Sequence, residues 1–426
     1  ALPCLVFAAA EMGPRLDKVL AGQGLEMRDD DGRLAVWVYF VDKGLTQEEI
    51  PAALLAAEAA LPDRTLERRA KVADGRALVD LRDLPVSRQY LTAVQDEGAR
   101  HRRSSRWFNA ASFTVTDEQL ASIARLPFVR KLELVARFVR QDDELSPAEQ
   151  ARMLEELEAA GDRSTGDYSI AYGLSTATLE QINVPPVHEM GLTGKDVIVG
   201  QLDSGFVLTH ESLQHIPILA TYDFVHDDDT VTPQPGDHEW QLRHGTQVLS
   251  TMLGFSDGAQ VGPAFGASAI LAMTEDTGSE TEIEEDNWVA GIEWVESLGA
   301  DIVNTSLGYY YWYEYEDLDG DTCVTTVAAD MAAERGLLVI TSAGNQRGDS
   351  EWPYLTAPAD GDSVVACAAV DLGGNIASFS SPGPTFDGRI KPDVAAQGVG
   401  VPMAAYYADT AFMTADGTSF AAPLIT

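Results

Sequence analysis

Apolar and polar positions divide this chain into two texts that meet between about residues 140 and 180. In the first, residues 33–41 (RLAVWVYFV) form a nearly unbroken apolar run, the pattern of a buried strand. An Ala/Leu/Glu-rich stretch over 46–61 favours helix, 87–98 reads as a second helix, and 100–115 reads as a hairpin turning at Trp107 to Asn109. Residues 117–126 read as helix and 128–136 as a last strand. The order β-α-β-β-α-β predicts a small ferredoxin-like α+β sandwich.

From about residue 180 apolar runs end in small-residue turns: VIVGQLDSG (197–205), ASAILAMTE (267–275), GADIVNTSLG (299–308), GLLVITSAGN (336–345) and DSVVACAAV (362–370). They alternate with helical stretches over 245–253, 284–298 and 324–335, which predicts an α/β fold, a doubly wound parallel sheet with helices on both faces. In such sheets functional groups gather beyond the carboxyl ends of the strands. Residues 141–166 are charged, then Gly/Ser/Thr-rich, and read as an exposed connector that a protease could reach. The organisation expected is therefore a small domain over 30–140, a cleavable linker over 141–175 and a larger domain over 176–426.

Charge sharpens this division. The chain carries 67 acidic and 29 basic residues, a formal net charge of −38. Residues 1–140 hold 20 acidic and 21 basic side chains, so nearly all the excess lies in the larger domain. Such a surface repels nucleic acid phosphates and anionic membranes, and neither is expected as a partner. It fits a salty habitat, several bound calcium ions, or simple solubility. The basic patch HRRSSR at 101–106 is either a docking face for the acidic domain or a solvated hairpin edge. No apolar run reaches the ~20 residues of a membrane helix. Residues 1–10 (ALPCLVFAAA), apolar and ending in small residues, read as a signal-peptide remnant or as an ordinary N-terminal segment; the first reading places the protein in the secreted or periplasmic and cell-envelope space. Cys4, Cys323 and Cys367 are too few for a disulfide scaffold, and the last two either pair or stay as buried thiols.

Four short motifs carry candidate chemistry. Asp203 closes an apolar strand before Ser204-Gly205, His244 opens a helix in RHGTQVLS, and Ser419 opens another in DGTSFAAP. Singly, each is ordinary: a turn Asp, a surface His, a helix-start Ser. Together they suit nucleophilic catalysis, in which a serine needs a base for its proton and the base needs a carboxylate to fix its tautomer. The fourth motif, SAGN, ends a strand with Asn345, whose amide N–H with the Ser419 backbone N–H could hold a developing oxyanion.

With DSG, HGT, SLG (Ser306, Leu307, Gly308), SAGN and GTSFAAP in this order over roughly 180–426, the chain resembles the subtilase family of serine proteases. The resemblance implies a secreted endopeptidase (EC 3.4.21) acting on protein or peptide substrates through an acyl-enzyme. Asp203, His244 and Ser419 would be the catalytic triad and Asn345 the oxyanion donor. Ser306 to Gly308 would form one substrate-pairing edge and Gly278-Ser279 the other. No cofactor is required for that chemistry. The first 140 residues are similar to subtilase propeptides, which implies an intramolecular chaperone and inhibitor, and hence a zymogen matured by self-cleavage between about 137 and 175.

Residues 314–321 (EYEDLDGD) are dense in hard oxygen ligands, so a structural calcium on Asp317, Asp319 and Asp321 is weighed against a solvated acidic loop. The aromatic run 309–315 (YYYWYEY) either lines the substrate cleft or covers the sheet edge. The Ser419 helix stops after about two turns where the family continues, so the catalytic domain reads as C-terminally incomplete. A catalytically silent binding module is the rival reading, against which the complete motif set argues. A lipase or esterase would need a GxSxG elbow, and Phe420-Ala421 follows Ser419 instead.

Overall fold

The computed structural model describes residues 10–23, 27–29, 31–135, 137–138, 168–238, 241–277 and 283–426. The first sheet has five strands: β1 (Glu11–Met12), β2 (Leu34–Phe40), β3 (Arg100–Ser105), β4 (Ala110–Val115) and β5 (Val129–Leu134), in spatial order β1-β5-β2-β4-β3. β2 pairs antiparallel with both β4 and β5, and β3 with β4, as the sandwich expected from the sequence requires. Asn109, with φ 51°, sits in the left-handed conformation at the tight turn before β4. Among the described residues, six helices accompany this sheet and the approach to the next: α1 (Pro14–Leu20), α2 (Ile50–Ala60), α3 (Asp63–Val72), α4 (Arg88–Asp96), α5 (Asp117–Ile123) and α6 (Thr176–Gln181). The helix read over 46–61 begins at Ile50 and buries none of its side chains, so Ala and Leu propensity makes it rather than an apolar stripe. The strand and helix at 11–20, and α3, had no counterpart in the sequence reading.

The second sheet has seven strands, β6 (Ile198–Asp203), β7 (Ile218–Asp223), β8 (Ser268–Met273), β9 (Ile302–Thr305), β10 (Leu338–Ser342), β11 (Val365–Val370) and β12 (Val394–Gln397). Their order is β12-β11-β10-β9-β6-β8-β7, and all pairs are parallel. Beside it lie α7 (Val184–Glu189), α8 (Arg243–Leu253), α9 (Glu285–Ser297), α10 (Val324–Glu334) and α11 (Thr418–Ile425). Alternate residues of β8 enter different cores: Ile270 and Ala272 pack with α9 and α10, while Ala269, Leu271 and Met273 pack with α8 and α11. Both faces are thereby buried, which is why these strands read as continuous apolar runs.

The small domain sits on α9 through its arginines. Arg69 meets both carboxylate oxygens of Glu296 at 2.8 Å, and Arg68 also bonds Glu296. Arg102 reaches Asp286 at 3.0 Å, Arg103 reaches Asn287 at 2.7 Å, and Glu293 accepts from the Ser105 hydroxyl and the backbone N–H groups of Arg106 and Trp107. Patch 101–106 is thus a docking face and not a solvated edge. Arg335 extends the seam by stacking on Trp107, 4.7 Å from the ring centre. Burial pushes the Glu293 carboxyl up to about 7 despite Arg106 and the surrounding donors. Cys323 and Cys367 are both free and buried, so they do not pair. No helix among the described residues is long and apolar enough to cross a membrane.

Candidate active site

The chemistry-bearing side chains converge beyond the carboxyl ends of β6, β9 and β10. Asp203, the last residue of β6, is fully buried; its Oδ1 accepts from the Ser204 backbone N–H at 2.8 Å, and its Oδ2 from Gln201 Nε2 at 3.2 Å. His244 lies in the first turn of α8 and donates from Nδ1 to Asp203 Oδ1 at 2.6 Å. The close approach depends on Gly245: a Cβ there would stand 2.6 Å from the Gly205 carbonyl oxygen and 2.9 Å from that of Ser204. Gly245 N–H also donates to Ser204 Oγ at 3.0 Å, tying the start of the helix to the turn after Asp203.

With Nδ1 committed as donor to a carboxylate, the neutral ring leaves Nε2 as a bare acceptor. Nε2 is buried and has no hydrogen-bond partner among the described residues. The imidazole ring centre lies 5.8 Å from that of Phe420, the residue after Ser419.

Ser419 is held between two segments. Its Oγ donates to the Ser306 carbonyl at 3.1 Å, and its own carbonyl accepts from Ser306 Oγ at 2.7 Å. On the other side, Asn345 Oδ1 accepts from both the backbone N–H and the hydroxyl of Thr418, at 2.9 Å each. A backbone N–H can only donate, so this contact assigns the amide: the oxygen faces Thr418 and Nδ2 is turned elsewhere. Nδ2 lies 3.7 Å from where a Cβ on Gly417 would stand. Gly417 has φ 152° and ψ 148°, a conformation essentially restricted to glycine, and it aims α11 into this corner. The Ser419 backbone N–H thus sits in the first turn of a helix, where such groups have no intrahelical partner.

Asp203, His244, Ser419 and Asn345, read separately from the sequence, therefore meet in one corner, and Ser306 to Gly308 runs alongside. Gly278 and Ser279 lie outside the described residues. Gln201, the Ser306–Ser419 clasp and the Thr418–Asn345 contact were missed: Gln201 sits inside an apolar strand pattern and the others join residues far apart in sequence. The loop expected either to hold calcium or to be a solvated acidic turn is tied by its own hydrogen bonds. Asp317 accepts from the Glu314 N–H, and Asp319 caps its own turn by accepting from Asp321 and Thr322, while Arg389 supplies the local positive charge beside Gly320 and Asp362. Among the described residues no group of three or more His, Cys, Asp or Glu side chains could hold a metal ion. The aromatic run covers more than it lines: Tyr309 and Tyr313 are buried in the core beside α9, and only Tyr311 is exposed.

Two family models match the chain. Residues 194–426 match the subtilase family (peptidase S8), and 35–151 match the peptidase S8 propeptide domain of Bacteroidota. Subtilisin from Bacillus pumilus is 32% identical over 222 residues, which span 51% of this chain and 71% of that protein. Subtilisin E of Bacillus subtilis is 28% identical over 297 residues, 69% of this chain and 64% of that protein. The crystal structure of fervidolysin from Fervidobacterium pennivorans, a keratinolytic enzyme related to subtilisin, superposes with a TM-score of 0.62 and 21% identity, covering 98% of this chain and 55% of that one. The fold and the match over more than half its length define a serine-peptidase class of protein. The chain belongs to the subtilase family and carries that family's propeptide domain.

Proposed function

We propose that this chain is a zymogen of a serine endopeptidase in which Ser419 is the nucleophile, His244 the base, Asp203 the residue that orients it and Asn345 an oxyanion donor. The observation that carries the reading is the 2.6 Å bond from His244 Nδ1 to buried Asp203, because it leaves Nε2 unpartnered, with a lone pair open to a proton. In the reaction the Ser419 hydroxyl leaves the Ser306 carbonyl and gives its proton to Nε2. Oγ then bonds to the substrate carbonyl carbon, and the resulting oxyanion is met by Asn345 Nδ2 and the Ser419 backbone N–H. Collapse breaks the C–N bond, the amine leaves with the proton from Nε2, and water hydrolyses the acyl ester by the same relay.

The domain over 30–140 acts as an intramolecular inhibitor, a role supported by its arginine-rich seat on α9. The linker over 141–175 is cut by the enzyme itself, and the catalytic domain over 176–426 functions beyond the cytoplasm, secreted or in the periplasm or cell envelope, a reading the apolar residues 1–10 support. No metal takes part in the bond-breaking steps.

A fluorophosphonate probe tests the reading: it labels Ser419 in matured protein and fails with Ser419→Ala. An unlabelled, folded and matured wild type would instead favour the binding-module reading. Ser419→Ala protein that still shortens on its own would sink self-cleavage.

A further inference from the structure

Gln201 stands two residues before Asp203 on β6, inside the seven-stranded sheet, with Leu271 of β8 and Asn304 of β9 beside it across the ladder. Alternate residues of a strand share a face, so Val199, Gln201 and Asp203 lie on the same side of β6. Val199 packs there in the core with Leu249 and Met252 of α8. An apolar side chain at 201 would continue that core, yet the position holds a fully buried amide. Such a group is unfavourable away from water unless its donors are met.

Both donors are met, and by two parts that the reaction must keep together. Nε2 donates to Asp203 Oδ2 at 3.2 Å and to the Gly245 carbonyl at 3.1 Å. Each of these partners only accepts, so the amide is assigned with its nitrogen towards them. Gln201 Oε1 has no hydrogen-bond partner among the described residues, so the nitrogen alone fixes the side chain. The carboxylate is thereby held at both oxygens, Oδ1 by the Ser204 N–H and His244 Nδ1, Oδ2 by Gln201. Gly245 follows His244 in the first turn of α8, so one amide links the carboxylate to the helix that carries the imidazole.

We propose that Gln201 is a positioning residue for the Asp203–His244 pair: it stops the carboxylate from turning about its Cβ–Cγ bond and sets the spacing between β6 and the start of α8. This rests on the endopeptidase reading above. Neither of its bonds goes to Ser419 or to the imidazole, so it acts through Asp203, whose Oδ1 must stay in line with His244 Nδ1 for the ring to keep its tautomer. Without the amide, Oδ2 is a bare carboxylate oxygen in a dry site and the group is free to turn. A hydrogen bond to a charged group is worth roughly 10–100-fold, and a catalytic group displaced by ~1 Å costs about 10²-fold.

The test is Gln201→Met, which keeps the length of the side chain and removes both donors. In matured enzyme on one peptide anilide, kcat is expected to fall by ~10–100-fold while KM holds. The second readout is the His244 Nδ1–H proton in the NMR spectrum of the full chain carrying Ser419→Ala, isotope-labelled at histidine. Its short bond to Asp203 places that proton far downfield, its loss in His244→Gln assigns it, and Gln201→Met is expected to move it upfield or broaden it. Val199→Ala loosens the same face of β6 without touching either bond, and should leave both kcat and the proton where they are. Gln201→Leu serves if the Met variant fails to fold. A folded variant at position 201 with wild-type kcat or an unmoved proton overturns the proposal, as does Val199→Ala enzyme that loses as much kcat. Labelling of Ser419 by a fluorophosphonate separates the two readings. Wild type that is labelled, beside a Gln201→Met enzyme of equal kcat, overturns this inference alone, whereas matured wild type that stays unlabelled overturns the hydrolytic reading and this one with it.

Discussion

Arg69 grips Glu296 with two parallel hydrogen bonds of 2.8 Å, although both side chains are almost wholly buried. A charge pair at that depth contributes little net stability when intact, but losing one partner leaves the other charged and dry. Glu296→Ala, in a Ser419→Ala background that keeps the chain whole, is expected to lose about 3–5 kcal/mol. The urea midpoint of that protein checks it, and a midpoint unchanged within error would show that the seam does not bear on stability.

Glu293 gives the same seam a pH dependence. Burial raises its carboxyl to about 7 in the folded chain, above the 4.5 of an unperturbed glutamate, so folding takes up a proton between those values. The stabilisation is complete below about 4.5 and is lost as pH rises through about 7, an effect of about 3 kcal/mol. Relative to Glu293→Gln, the Ser419→Ala protein should lose stability across that window. Parallel stability curves for the two proteins from pH 4.5 to 7.5 would rule this out.

Gly245→Ala should act on geometry. Its new Cβ would meet backbone oxygens rather than movable side chains, so α8 must shift away from the turn after Asp203. A stability cost of about 1–3 kcal/mol is expected, with a fall in kcat larger than any rise in KM. Thermal unfolding and steady-state kinetics on one peptide substrate separate the two effects.

Asn345→Leu should lower kcat by ~10²–10³ with little change in KM, the range known for loss of such a donor in subtilisins. Loss of Oδ1 also frees the Thr418 N–H, so a small stability loss should accompany the kinetic one. Equal changes in kcat and KM would argue for misplaced substrate instead.

The residues legible in sequence were those whose signal is local. The strand ending in Asp203, the glycine after His244 and the glycine before Ser419 each mark a turn or close approach that the backbone itself demands. The alternation of buried strands and helices gave the parallel sheet, because both faces of each strand are covered. What stayed hidden was set by contacts between distant segments. Asp317, Asp319 and Asp321 resemble a ligand loop in one dimension, but in space two of them satisfy their own turn and Arg389 stands beside them. The N-terminal helix escaped notice because at 7 residues it has too few turns to show a period; its place is fixed instead by Arg15, which lies over the Tyr313 ring at 4.5 Å.

The seam between the small domain and α9 is divided by sign of charge. Its cations belong almost entirely to one partner and its anions to the other, so neither surface is electrically complete by itself. Drawn apart, the larger body would present an unscreened acidic ridge to water and the smaller one a row of guanidinium groups. Dissolved ions would then have to do for each what its neighbour now does, and the ease of parting the two should follow the saltiness of the medium.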